Sequence, residues 1–281
     1  MSKTTSTAAD DAVQPVATWH LTVAYDGTRY RGWQVQPAGP TVQEEIQSRL
    51  RRLLRCPDLR IAATSRTDAG VHALDQQVSF RAPVTADMDS DAIRLALNKW
   101  LPDDIRINAV RKADDDFHAR YSAVAKAYTY VIHRGEKCDP LFVRYCWHHR
   151  WPLAVESMRR AAVFLVGRHD FSSFAVNPKK ELESKVRTVH HLDVTECGEY
   201  ICISVLGDSF LYKMVRSLAG FLVTVGRGGL QPESASRILE ARNREAAPQG
   251  APGTGLFLVR VFFEEQDWER YEPILPPFVH A

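Results

Sequence analysis

Apolar positions along the chain follow two periods. Residues 18 to 25, Thr-Trp-His-Leu-Thr-Val-Ala-Tyr, alternate partly and are rich in β-formers, which predicts a strand. A glycine-containing turn follows at Asp26-Gly27 and again at Gly32. Thr41-Val-Gln-Glu44 then has the form of a capping box. Beyond it Val42, Ile46, Leu50, Leu53 and Leu54 fall on one helical face. Strands are predicted at 59 to 64, 76 to 81 and 105 to 111. A helix is predicted at 89 to 100, with Ile93, Leu97 and Trp100 on one face and a stop at Pro102.

The second half repeats this style. Strands are predicted at 126 to 134, 143 to 149, 185 to 195, 200 to 206 and 256 to 263, and helices at 153 to 166, 209 to 225 and 232 to 242. Ala247 to Gly253, rich in Pro and Gly, reads as a linker into the last strand. Both halves run strand, helix, strand, strand, helix, strand. The expected class is therefore α+β, a two-layer arrangement of two related units, each a mainly antiparallel sheet backed by helices. The expected division is a disordered tail at 1–17, one half at 18–112, a second at 113–264 and an acidic extension at 265–281.

Composition is that of a globular chain, 281 residues with 45% hydrophobic and 25% charged. No apolar run approaches the ~20 residues of a membrane span. The first residues carry neither a secretory h-region nor the arginines of a transit peptide. Five cysteines, at 56, 138, 146, 197 and 202, form no C-x-x-C pair. They are expected to be free thiols in a reducing cytoplasm, with no disulfide framework and no zinc. The net charge of +2 is unevenly spread: both ends are acidic, so the body is more basic than the total implies, which suits a polyanionic partner. Arg49, Arg51, Arg52 and Arg55 line the outer side of the first helix, by default a solvated face and alternatively a phosphate contact.

Chemistry concentrates in Ser65-Arg66-Thr67-Asp68-Ala69-Gly70-Val71-His72. Gly70 permits a sharp turn that pushes Asp68 out of the sheet. A neighbouring guanidinium favours the ionised carboxylate, and an ionised, presented carboxylate can attack carbon. The plain alternative is an Asp that caps its own turn. His148-His149 points to opposite strand faces with no accompanying cluster, so a structural role is expected, as for His72.

Arg66 to Ala73 resembles the signature of the TruA-type tRNA pseudouridine synthases. The resemblance continues in order through Tyr25 to Gln36, Thr41 to Glu44, Asn98 to Ile105, Asp116 to Ala123, Lys126 to Tyr130, Asp170 to Phe174, Val186 to Thr188 and Phe210 to Arg216. It covers roughly residues 18 to 263. It implies two pseudo-twofold-related halves facing across an active-site cleft, in a homodimer without cofactor or metal. It implies a cytoplasmic enzyme that isomerises uridine to pseudouridine at positions 38, 39 and 40 of the tRNA anticodon stem-loop.

The same resemblance makes Asp68 the nucleophile that forms a covalent adduct. It makes Tyr128 the ring that stacks on the flipped uracil and is placed to take the carbon-5 proton. Arg216 pairs with the Asp, Arg66 helps to extrude the base, and Leu256 lines the pocket. Phe117, His118, Ala119, Arg120 and Tyr121 match an RNA-contacting segment. Alternation puts Tyr128 and Tyr130 on one face of a strand, and only the motif favours Tyr128 for the site. Lys179 and Lys180, in the unmatched loop 175 to 184, are solvated by default and a tRNA contact otherwise. Three rivals stand beside this reading: a synthase for other RNA uridines, a non-catalytic tRNA-binding protein, and a carboxylate glycosidase. The last lacks an evident second carboxylate.

Overall fold

Ten strands join into one sheet in the computed structural model, which describes residues 15–83, 89–176 and 184–279. The strands are β1 Val16–Tyr25, β2 Ile61–Ala63, β3 His72–Pro83, β4 Ile105–Ala113, β5 Ala125–His133, β6 Trp147–His148, β7 Gly167–Asp170, β8 Val186–Cys197, β9 Tyr200–Gly207 and β10 Leu256–Phe262. Their order is β4-β1-β3-β10-β5-β9-β8-β7, with β2 on β3 and β6 on β5. Pairing is antiparallel except for β10 with β3 and β6 with β5. The β3–β10 contact joins the strands of the first half to those of the second. Its register holds only two pairs, Phe257 with His72 and Leu258 with Ala73.

The helices are α1 Val42–Leu53, α2 Ser90–Trp100, α3 Val155–Val163, α4 Met214–Gly226, α5 Ser234–Ala241 and α6 Glu265–Trp268. The first five share one apolar core with the sheet face that carries Trp19, Leu21, Val78, Tyr128, Tyr130 and Leu258. Thr41 Oγ1 accepts from Glu44 N and Asp89 Oδ1 from Ala92 N, so both N-caps are filled, each worth ~1 kcal/mol. The opposite face carries Ala127, Val131, Phe257 and Val259, covered by residues 268 to 279. The acidic extension therefore packs: Trp268 stacks on His190 at 4.0 Å, and Thr129 donates to Ile274 O at 2.7 Å.

Several element boundaries differ from the sequence reading. The first strand starts at Val16, inside the supposed tail, because Val16 and Ala17 pair with Pro83 and Ala82. Residues 143 to 149 hold only a 3-10 turn and the short β6. The 209 to 225 helix starts at Met214, since Lys213 adopts φ 60° and breaks the helical path. Trp100 lies outside the core, with the Arg52 guanidinium 5.1 Å over its ring. Strand β7 had no visible alternation, and only pairing with β8 makes it extended. Lys179 and Lys180 lie outside the described residues.

His20 sits on the back of β1, between the rings of Phe117 and Phe263. Arg111 Nε donates to its Nδ1 at 3.0 Å, and its Nε2 faces Gln77 Oε1 at 2.6 Å. Both ring nitrogens are thus committed to the neutral imidazole. Burial, and next the Arg111 charge, push its pKa down to about 4. A folded pKa below the unfolded 6.5 gives stability that is full above 6.5 and is lost as pH falls toward 4. This group alone removes roughly 2 kcal/mol between pH 7.5 and pH 5. Urea unfolding of wild type and His20→Gln at the two pH values reads that difference, and equal pH dependence in both would refute it.

Candidate active site

Two loops meet above the β3–β10 seam. One is residues 64 to 71, leading into β3, and the other is 249 to 255, leading into β10. Gly70 takes φ 75°, and Val71 N bonds Asp68 O at 3.2 Å, so the chain turns sharply just after Asp68. Residues 27 to 33 back this loop. Trp33 N donates to Thr67 O at 3.0 Å, and a Cβ on Gly32 would lie 2.7 Å from that oxygen. A side chain there would displace the loop.

Arg216 reaches Asp68 from the first turn of α4, Nη1 to Oδ2 at 2.7 Å. The pair is mostly enclosed, with 20% and 13% of the two side chains exposed. The same guanidinium donates through Nε to Ala251 O at 2.8 Å, and Ala251 N donates to Arg216 O. The planar fork is therefore aimed by the second loop before it meets the carboxylate of the first.

Tyr128 and Tyr130 do share a face of β5, as alternation requires. Position along the strand separates them. Tyr130 Oη donates to Pro252 O at 2.9 Å and supports the second loop. Tyr128 lies near the Ser65 side chain and feels the Asp68 charge. Burial, opposed by Ser65 and reinforced by Asp68, pushes the Tyr128 hydroxyl up to about 12. It remains a phenol at neutral pH. Phe210 stands edge-on to the Tyr128 ring at 5.3 Å. Leu256 is buried and pairs across strands with Tyr130.

Arg66 points outward and makes no hydrogen bond or ion pair among the described residues. The 117 to 121 segment has other anchors. Phe117 packs on His20 and Phe263, Ala119 N bonds Ser79 Oγ, and Thr64 Oγ1 donates to Ala119 O. Beyond that anchor the His118 ring and the Arg120 guanidinium lie against the exposed Tyr121. Arg120 also adds positive charge near Lys126, two residues before Tyr128. Burial, and next Arg120, push Lys126 down to about 8. Arg187 adds to this and Asp208 opposes it. An anion bound there would relieve a crowded positive field.

The α1 arginines are mostly engaged within the fold. Arg49 bonds Glu45 and Trp100 O, Arg51 donates to Leu59 O, and Arg52 covers Trp100. His148 and His149 bond the carbonyls of Gly135 and Trp151, and His72 bonds Thr254 O and lies 3.1 Å from Asp26. Ser65 and Phe210 are contacts that residue patterns missed. Ser65 and Phe210 enter the sequence reading only as members of longer motifs, because nothing local says that either faces Tyr128.

The pattern described as tRNA pseudouridine synthase matches residues 21–122 and 161–264. The tRNA pseudouridine synthase A of Exiguobacterium sp. is 44% identical over 247 residues, 88% of this chain and 98% of that protein. The protein of the same name in Bacillus subtilis is 41% identical over 244 residues, 86% and 98% of the two chains. That of Halalkalibacterium halodurans is 44% identical over 236 residues, 84% and 89%.

Proposed function

The chain belongs to the tRNA pseudouridine synthase family, and on that premise we propose that it isomerises uridine at positions 38, 39 and 40 of the anticodon stem-loop through a covalent adduct of Asp68. The observation that carries the Asp68 assignment is its contact with Arg216 beside the Tyr128 ring. The guanidinium holds the enclosed carboxylate in place beside the ring, where a nucleophile for attack on carbon is needed.

A uridine in a stem must leave the stack to reach this site, at a cost of a few kcal/mol. Stacking on Tyr128 returns ~1–3 kcal/mol. Asp68 forms its adduct as the N-glycosidic bond breaks. The freed uracil turns, carbon 5 bonds the sugar as the sugar's bond to Asp68 breaks and frees the carboxylate, and the carbon-5 hydrogen leaves as a proton to water. Tyr128 contributes its ring face; with a pKa of about 12 its hydroxyl stays protonated, so it is not the base for the carbon-5 proton expected from the resemblance. Leu256 closes the apolar floor beside the rings. Lys126, Arg120 and Arg187 supply positive charge suited to backbone phosphates. The resemblance set out above supports the anticodon arm as substrate, a second copy as partner and the cytoplasm as compartment.

Tritium release from unmodified tRNA carrying 5-³H-uridine tests the reaction, and carbodiimide primer extension on the product locates the modified positions. Release with stops at 38 to 40 is the expected outcome. Stops elsewhere would move the target, and bound tRNA without release would leave a binding protein. Arg66, exposed two residues before Asp68, has by the resemblance the role of displacing the base. Arg66→Ala is expected to slow single-turnover release by roughly 10-fold to 100-fold while tRNA affinity changes little. A fluorescent base analogue at the target position should flip more slowly in stopped flow, and an unchanged flipping rate would remove this role.

A further inference from the structure

A buried glutamine supports the catalytic loop from beneath. Gln76 lies in β3 and is 0% exposed. Its side-chain amide bonds both backbone groups of one residue: Ser65 N donates to Oε1 at 3.1 Å, and Nε2 donates to Ser65 O at 2.7 Å. Nε2 also lies 3.4 Å from Tyr25 Oη, which contacts Thr67 Oγ1 at 2.7 Å. The amide and the phenol thus hold residues 65 and 67, immediately before Asp68. Ser65 in turn lies close enough to the Tyr128 hydroxyl to oppose the rise of its pKa.

The register explains why a side chain does this work. β2 pairs with β3 through Ala63 and Val78, and Thr64 N still bonds Gln77 O. One step further, Ser65 falls opposite Gln76. There the backbone ladder gives way to the Gln76 side chain, which is longer than a direct backbone bond. The loop can therefore stand off the sheet and remain bonded. A bulge aims the amide: Val23 pairs with Gln76 and Tyr25 with Ala73, so β3 uses one residue more than β1 over this stretch. Both Gln76 and Ala73 consequently face the helices. Asp75, inside the bulge, accepts from Val261 N at 2.8 Å and ties the bulge to β10.

The geometry points to Gln76 as a positioning residue for the isomerisation, setting where Asp68 and Tyr128 stand through Ser65 and Thr67. This rests on the proposed reaction. Only an amide of this length presents an acceptor to the N–H and a donor to the C=O of one residue at this distance. Methionine fills similar volume but leaves Ser65 N and O without partners. An ångström of loop movement is enough to cost ~100-fold in rate.

The test is single-turnover tritium release with Gln76→Met beside wild type, with tRNA affinity and thermal melting measured on both. The expected result is a cooperative melt, affinity within about threefold of wild type and a rate ~100-fold lower. Gln76→Glu gives a second reading should Gln76→Met not fold. When protonated, the introduced carboxyl has the amide's donor and acceptor. When ionised, it turns two acceptors toward Ser65 O. Its rate at pH 6 relative to pH 8.5 should exceed the wild-type ratio by at least ~10-fold, since burial keeps such a carboxyl partly neutral. A folded Gln76→Met protein within about threefold of the wild-type rate, or a Gln76→Glu profile parallel to wild type, overturns the assignment. Absence of release by wild type itself would count against the proposed reaction, whereas a difference between folded proteins bears on Gln76.

Discussion

Asp68→Asn is expected to lower tritium release by at least ~10⁴-fold while tRNA still binds. The size follows from the role: removing the attacking group removes the covalent route itself, and such losses are among the largest single substitutions produce. Binding persists because affinity for tRNA comes mostly from contacts to many phosphates. Asparagine is nearly the same shape and can accept from Arg216 through its oxygen, so the loop should stay in place. Filter binding and release measured on one preparation separate the two effects. An Asp68→Asn protein with more than a hundredth of wild-type turnover would exclude Asp68 as the nucleophile.

Arg216→Ala is the second large effect, with an expected rate loss of ~10²–10³-fold. The substitution leaves Asp68 enclosed without its cation and removes the donor to Ala251 O. Both loops over the seam lose their cross-link, so a stability loss of about 1–3 kcal/mol should accompany the loss of rate. Arg216→Lys restores the charge but not the fork, because one ammonium cannot reproduce the planar Nε and Nη1 geometry. Its rate should lie between those of wild type and alanine. If Arg216→Ala retained more than a tenth of the wild-type rate, the pairing would be structural rather than catalytic.

Much of this site was visible in the order of residues. Asp68 stood out because a charged residue sat between an arginine and a turn glycine ahead of a strand. The Tyr128 and Tyr130 pair stood out by alternation. What alternation could not do was choose between them, since both side chains leave β5 on one face. Tyr130 reaches Pro252 and Tyr128 reaches Ser65. Those partners lie 122 and 63 positions away in the chain, a separation no local pattern encodes. Arg216, on a helix among apolar neighbours, gave no local sign of a partner 148 positions away. Its direction is decided by Ala251, on a loop that read only as a linker.

Local chemistry by itself determined the caps at Thr41 and Asp89, the amphipathic faces of α1 and α2, and the turn that presents Asp68. Each depends on neighbours within a few residues, so side-chain period and turn preference suffice. Only the tertiary structure decided that the two halves share one sheet, because the β3–β10 contact spans just two residue pairs from distant parts of the chain. The same holds for Gln76. Its inward direction comes from a bulge visible only against β1, and its burial from a loop that folds over it. A polar residue in a strand reads as solvent-facing until the partner that satisfies it is in place.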